Sequence, residues 1–274
     1  MSLQGKTAIV TGGGTGIGAA ITRRFVTDGL QVVITGRREA PLQQVAESLP
    51  AGRVVPCAGD VTQPEHAQRL VETALGITGH IDVLVNCAGV TAHHSITETD
   101  LEEWRSVIDI NLHGPFLCMR AVIPQMIQQG GGSIINIASM AGLRCAPQSP
   151  AYCTSKAALI MLTQQAALDY GRYQIRCNAI CPGFVYTDMT ENEFKQLSAD
   201  LGTDSQTFLA SALRDVPLPP ARPDKIAGVC SFLAGEDSAY LTGIVIPADG
   251  GSAIVDLFGA GIGRAITELG PKQA

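Results

Sequence analysis

The stretch SPAYCTSKAAL, residues 149–159, sets a phenol, Tyr152, and an ammonium, Lys156, four positions apart. In a helix, residues i and i+4 stack on one face, so the two side chains become neighbours. Ser149 and Pro150 read as the N-cap and first residue of such a helix, because the missing proline N–H costs nothing there. A free tyrosine has a pKa of about 10 and is a poor acid or base near neutrality. A cation beside it and the positive end of a helix below it both favour the phenolate. Together they would turn a phenol into a general acid/base. Alone, the pair fits a surface tyrosine next to a surface lysine better than an acid/base, so the surrounding elements must decide.

Those elements alternate. Short Val/Ile-rich runs at 7–12, 31–36, 53–57, 81–89, 132–139, 175–183 and 243–251 read as buried parallel strands. Segments with helical spacing lie between them, near 17–29, 39–49, 64–77, 100–129, 150–172 and 223–235. The expected fold is α/β: one doubly wound, Rossmann-like parallel sheet of about seven strands with helices on both faces, in a single domain over 1–274. Residues 188–222 are too long for a simple connection. They leave a strand's carboxyl end and read as a substrate lid, with a packed surface hairpin as the alternative.

Bulk properties exclude several function classes. The 274 residues carry a formal net charge of −6 and no Lys/Arg-rich block, which argues against a nucleic-acid partner. No apolar run reaches the length of a membrane span, and the N-terminus lacks a signal-like apolar region, so a soluble cytoplasmic protein is expected. The eight cysteines form no CxxC pair and the five histidines no HExxH, so no metal site is expected.

Two further motifs bear on a cofactor. TGGGTGIG at 11–18 follows the first strand and opens a helix. Gly12, Gly16 and Gly18 would allow a tight turn and close approach to a pyrophosphate on the helix N-terminus. The second strand ends in TGRRE, where an acidic residue would bind the ribose of NAD. Gly36, Arg37 and Arg38 stand there instead, and two guanidiniums suit a 2′-phosphate. The alternative is a pair of solvated loop arginines.

With TGGGTGIG, Asp60 in GDV, NCAG at 86–89, Asn111, Ser139, the Tyr152–Lys156 pair and PGFVYT at 182–187 in this order, the chain resembles the short-chain dehydrogenase/reductase family over residues 5–251. The resemblance implies that Tyr152 exchanges a proton with the substrate oxygen. Lys156 would lower its pKa and hold the nicotinamide ribose, and Ser139 would hydrogen-bond the carbonyl or alcohol. Asn111 would distort its helix and hold, through its backbone, a proton-relaying water. Gly12, Thr15, Gly16, Ile17 and Gly18 would cradle the cofactor, Asp60 and Val61 the adenine. Asn86, Ala88 and Gly89 would lie beneath it, with Pro182, Gly183, Val185 and Thr187 at the carboxamide. Cys87 departs from the family's usual second asparagine.

The expected activity is NADP(H)-dependent interconversion of a ketone and a secondary alcohol. The alternatives are NAD(H)-linked oxidation and a catalytically silent nucleotide-binding scaffold, against which the intact Asn111, Ser139, Tyr152 and Lys156 set argues. Loops after the fourth, fifth and sixth strands nominate His93, His94, Leu143, Gln148, Phe184, Tyr186 and Met189 for the substrate pocket. Apolar residues on more than one face of 100–129 and 150–172 point to a homo-oligomer, and the resemblance implies that these helices form the subunit contact, with a homotetramer expected over a dimer. The extension 252–274, with Ile254, Val255, Leu257, Phe258 and Ile262, is expected to pack.

Overall fold

The computed structural model describes residues 3–256. Seven parallel strands form one sheet in the order β3-β2-β1-β4-β5-β6-β7. They are β1 (Thr7–Thr11), β2 (Gln31–Thr35), β3 (Val54–Pro56), β4 (Val83–Asn86), β5 (Gly132–Ile137), β6 (Ile175–Pro182) and β7 (Val245–Ala248). The helices are α1 (Gly16–Thr27), α2 (Glu39–Glu47), α3 (Pro64–Thr78), α4 (Leu101–Ile108), α5 (Gly114–Gln129), α6 (Pro150–Tyr170), α7 (Asp188–Asp200), α8 (Ser205–Ala212) and α9 (Pro223–Ala234).

Alternation along the strands divides the core. Ala8 and Val10 of β1 face a cluster with Ile21 and Phe25 of α1, Leu42 of α2, and Ile226 and Leu233 of α9. Ile9 faces the opposite side, against Leu70 of α3, Val122 and Met126 of α5, and Ala166 of α6. Burying each large side chain such as Phe25 or Met126 contributes about 1.5–3 kcal/mol. With both faces covered, the strands have no polar side, which is why their sequences read as continuous apolar runs. The strand order reverses between β1 and β4, and such a reversal opens a crevice at the strands' carboxyl ends.

The expected seven strands and six helical segments all form, with three local differences. The segment 100–129 is two helices joined by a π-helical turn, Asp109–His113, rather than one. Pro115 has no N–H to offer the carbonyl of Asn111, four residues before it, so the regular ladder cannot run through. The insertion after β6 contains a helical hairpin, α7 and α8, pinned by a ring cluster. Phe194 stacks edge-on to Phe184 at 4.7 Å between centroids and meets Phe208 at 5.4 Å. Ser149 occupies the N-cap position of α6 without capping it, because its hydroxyl turns to Pro147 O (3.0 Å) and His93 Nδ1 (3.2 Å).

Of the C-terminal extension, residues 252–256 are described. Asp249 holds the Ser252–Ile254 turn through Ser252 Oγ (2.9 Å) and Ala253 N (2.6 Å). This turn leaves Ile254 81 % exposed, against the expectation that it packs, while Val255 is partly buried. Leu257, Phe258 and Ile262 lie outside the described residues.

The β1–α1 turn tolerates no side chain at Gly18, where a Cβ would overlap the carbonyl of Gly12. Overpacking against backbone costs about 1–3 kcal/mol. Gly18→Ala is expected to lower the unfolding free energy by that amount in urea denaturation. A stability equal to the parent protein's would show that the turn adjusts freely.

Candidate active site

Lys156 is the most deeply buried ammonium among the described residues. It projects from α6, is 5 % exposed, and donates from Nζ to Ile137 O at 2.9 Å. Burial holds its ammonium down to about 8 against an ordinary 10.5. The Tyr152 ring lies one helical turn earlier, with its centroid 5.7 Å from Nζ. The ammonium thus sits beside the phenol in poorly solvated surroundings, where charges interact more strongly than in water.

Asn111 fixes the geometry from behind. Its side chain is fully buried and pairs with both backbone groups of Val90: Val90 N donates to Oδ1 and Nδ2 donates to Val90 O, each at 2.9 Å. Nδ2 also donates to Ser155 Oγ (3.1 Å), whose hydroxyl donates to Tyr152 O (2.8 Å). The loop after β4, the π turn and the first turns of α6 are therefore stitched together at one asparagine. Gly89 sits against this knot, and a Cβ there would lie 3.3 Å from Asn111 Oδ1 and 3.4 Å from Lys156 Nζ.

Ser139 lies two residues past β5 and starts the short turn Met140–Gly142, with its Oγ accepting from Ala141 N at 3.1 Å. That bond occupies a lone pair and leaves the hydroxyl proton to be donated. Ser139, Tyr152 and Lys156 line one cleft of about 490 Å³. Gly12, Thr15, Gly16, Ile17 and Gly18 line the same cleft, together with Cys87, Ala88, Gly89, Pro182, Thr187 and Met189. A capping box with Thr190 starts α7 at Thr187, so the hairpin is anchored at the cleft's edge.

The turn before α1 has the shape of an anion cradle. Gly12 and Gly16 adopt the left-handed conformation (φ +68° and +50°), and no acidic residue occupies the first turn of α1. A Cβ on Gly12 would come within 3.0 Å of the Ala88 backbone, so the turn and the loop after β4 close on each other. Thr11 Oγ1 reinforces this contact by accepting from Cys87 N and Ala88 N, both at 3.0 Å. The cleft continues into a second lobe of about 280 Å³, lined by Gly14, Gly36, Arg37, Arg38, Asp60 and Val61. Arg37 and Arg38 are exposed there, and among the described residues neither is ion-paired. Asp60 Oδ1 accepts from the amide and hydroxyl of Thr62, both at 2.9 Å. Behind it, His66 bonds Thr35 Oγ1 at 2.7 Å and fixes the end of β2; burial shifts His66 toward its neutral form. These side chains fit a dinucleotide: a cradle that glycine alone keeps open, next to two unpaired guanidiniums.

Not every nominated residue reaches the cleft. Asn86 is buried in the core and donates to Asn136 Oδ1 at 2.8 Å. Val185 is buried, and Gly183 packs against the Asp249 backbone. His93 pairs with Ser149, and His94 lies 3.6 Å from Glu103. Leu143 packs on Ile160 and Cys181. Gln148 is an exposed left-handed residue, with φ +51°. Phe184 and Tyr186 meet edge to face at 5.3 Å, and Phe184 lines a separate apolar groove beside Pro219 and Pro220. Of the seven pocket nominations, Met189 alone lines the cleft that holds Ser139, Tyr152 and Lys156. Asn192 joins it from α7. The sequence reading missed Asn192, Thr11, Ser155 and Asn136. Ser155 had a signal, standing four residues after Ala151 and four before Leu159 on one apolar face of α6; Asn136 had one as a polar residue in an apolar strand.

The sequence profile described as short chain dehydrogenase matches residues 6–198. A 3-oxoacyl-(acyl-carrier-protein) reductase of Thermotoga maritima is 37 % identical over 93 % of this chain and 100 % of that protein. A meso-2,3-butanediol dehydrogenase of Serratia marcescens is 33 % identical, covering 93 % of this chain and 98 % of its own. The crystal structure of L-sorbose reductase from Gluconobacter frateurii, complexed with NADPH and L-sorbose, superposes with a TM-score of 0.87. It is 31 % identical and is matched over 93 % of this chain and 100 % of its own. Sheet order, cleft and sequence agree, and the chain belongs to the short-chain dehydrogenase family of oxidoreductases.

Proposed function

We propose that the protein is an NADP(H)-dependent carbonyl reductase that converts a ketone to a secondary alcohol and can run in reverse. The observation that carries this reading is the continuous cleft, with Tyr152, Lys156 and Ser139 at one end and unpaired Arg37 and Arg38 at the other. The cofactor would supply the hydride. Tyr152 would give the proton to the carbonyl oxygen. Lys156 would stabilise the phenolate left behind, and the Ser139 hydroxyl would donate to the oxygen as its charge develops. Asn111 and Ser155 keep the tyrosine's helical turn in register with the loop that bears Gly89. The relative named a 3-oxoacyl reductase and the neighbour complexed with NADPH support the reductive direction. The relative named a butanediol dehydrogenase supports the reverse, oxidative direction as the second reading.

The α7–α8 hairpin acts in this scheme as the lid. Its first turn brings Thr187, Met189 and Asn192 to the cleft, and Gly16 lies against Thr187. Closure would exclude water from the reacting groups. Assembly as a homotetramer belongs to the same reading. It would cover the exposed apolar groups Phe116 of α5 and Met161 and Leu168 of α6.

A spectrophotometric screen of NADPH oxidation over a panel of ketones tests the activity directly. Tyr152→Phe should preserve fold and cofactor binding and lose at least about a hundredfold in kcat. Near-normal turnover by the folded variant would remove Tyr152 from the proton step.

Cofactor choice is tested at the other lobe. A hydrogen bond to a charged group contributes about 1.5–3 kcal/mol, or roughly ten- to a hundredfold in affinity. Arg37→Ala should therefore raise KM for NADPH by about tenfold or more and leave that for NADH nearly unchanged. A wild-type kcat/KM for NADH equal to that for NADPH would contradict the assignment.

A further inference from the structure

Two of the eight cysteines stand apart from the rest. Cys118, Cys177, Cys181 and Cys230 are buried, and Cys57 and Cys87 are partly covered within apolar clusters. Burial pushes the Cys87, Cys118 and Cys177 thiols up to about 12 and Cys181 to about 11, which keeps them protonated and unreactive. Cys145 is exposed, on the segment that runs from the Met140–Gly142 turn to the start of α6. Cys153 is half-buried in the first turn of α6, next to Tyr152.

The Cys153 sulfur already faces the Cys145 backbone. It accepts from Ala146 N at 3.4 Å and lies 4.0 Å from Ala146 O. Ala146 N is bonded to the carbonyl carbon of Cys145. Planar trans geometry, with the N–H aimed at the sulfur, then places that sulfur ~4 Å from Cys145 Cα. Disulfides join residues whose Cα atoms are about 4.4–6.8 Å apart, so a sulfur this near is within bonding reach. The Cys145 side chain faces solvent and is free to change rotamer to meet it.

We propose that Cys145 and Cys153 close into a reversible disulfide that clamps the segment 143–149 onto α6 and so ties the reactivity of the cleft to redox state. The segment connects Ser139 to Tyr152, so a clamp at its end acts on both sides of the reacting carbonyl. With a peroxide as oxidant, one thiolate attacks a peroxide oxygen and becomes a sulfenic acid as the O–O bond breaks and one water leaves. The second thiol attacks the sulfenic sulfur, the S–S bond forms, and the second water leaves. Both thiols are oxidised by one electron each, and hydrogen peroxide is reduced to two waters. Dithiothreitol reverses the step by thiol–disulfide exchange and becomes a disulfide itself.

Arg144 supplies a readout that needs no turnover. It is exposed and directly precedes Cys145, so trypsin can report whether the segment opens. The full-length protein is treated with hydrogen peroxide and its unreduced peptides are mapped. The expected result is a Cys145–Cys153 linked peptide and tryptic cleavage after Arg144 slowed at least about fivefold. On a ketone from the screen, kcat/KM should change by about threefold or more, and dithiothreitol should restore all three readouts. Cys145→Ser and Cys153→Ser should keep their reduced-state cleavage and kinetics under peroxide. The kinetic arm rests on the reductase reading; the peptide map and the proteolysis do not. Absence of the linked peptide overturns the clamp. So does a fully linked protein with unchanged cleavage and kinetics, or an equal peroxide response in Cys145→Ser.

Discussion

The site is organised around one ammonium that the fold removes from water. Lys156 is buried, with Ile137 O as its hydrogen-bond acceptor, and its pKa falls from 10.5 to about 8. A depression of that size corresponds to about 3 kcal/mol set against the charged form. The folded state carries this cost in full below pH about 8 and sheds it as pH rises toward the unfolded value of 10.5. Such a charge is uncomfortable until a negative partner forms beside it. A phenolate on Tyr152 would be that partner, so the strain on the lysine favours ionisation of the tyrosine.

Much of the surrounding polar network serves to keep that pair in place. Asn111 ties the Val90 backbone to Ser155, and Ser155 ties itself to the carbonyl of Tyr152. A second buried line runs from Asn86 through Asn136 to Thr163 and binds β4 and β5 to α6, with both links at 2.8 Å. Polar groups buried with partners are rigid, because breaking any link leaves an unsatisfied donor or acceptor. The π turn at Asp109–His113 is part of the same construction. It turns Asn111 inward where a regular ladder is interrupted by Pro115.

The sheet was legible because burial on both faces writes itself into the strands as unbroken Val/Ile runs. The juxtaposition of Tyr152 and Lys156 was legible because it depends on local helical spacing alone. What escaped depends on contacts between distant segments. His93 read as a pocket residue from its place after β4, but it reaches Ser149 and takes that hydroxyl from its cap. Asn86 read as cofactor-facing from its motif, but its side chain turns into the core toward Asn136, a residue fifty positions away. Phe184 and Tyr186 were drawn away from the cleft by the ring cluster under α7 and α8. Asn192 could not be placed without the hairpin's rotation, which those rings set.

The direct test of the buried ammonium's role is titration of Tyr152 itself. Tyrosine labelled with carbon-13 at the ring Cζ reports phenolate formation at each of the five tyrosines, and the Tyr152 signal is the one absent from a Tyr152→Phe sample. In the parent protein that signal should shift well below the ordinary tyrosine range of about 10, and in Lys156→Met it should return to about 10 or above. If Tyr152 titrates with the other four tyrosines whether or not Lys156 is present, the ammonium does not make the phenol an acid, and this account of the site is wrong.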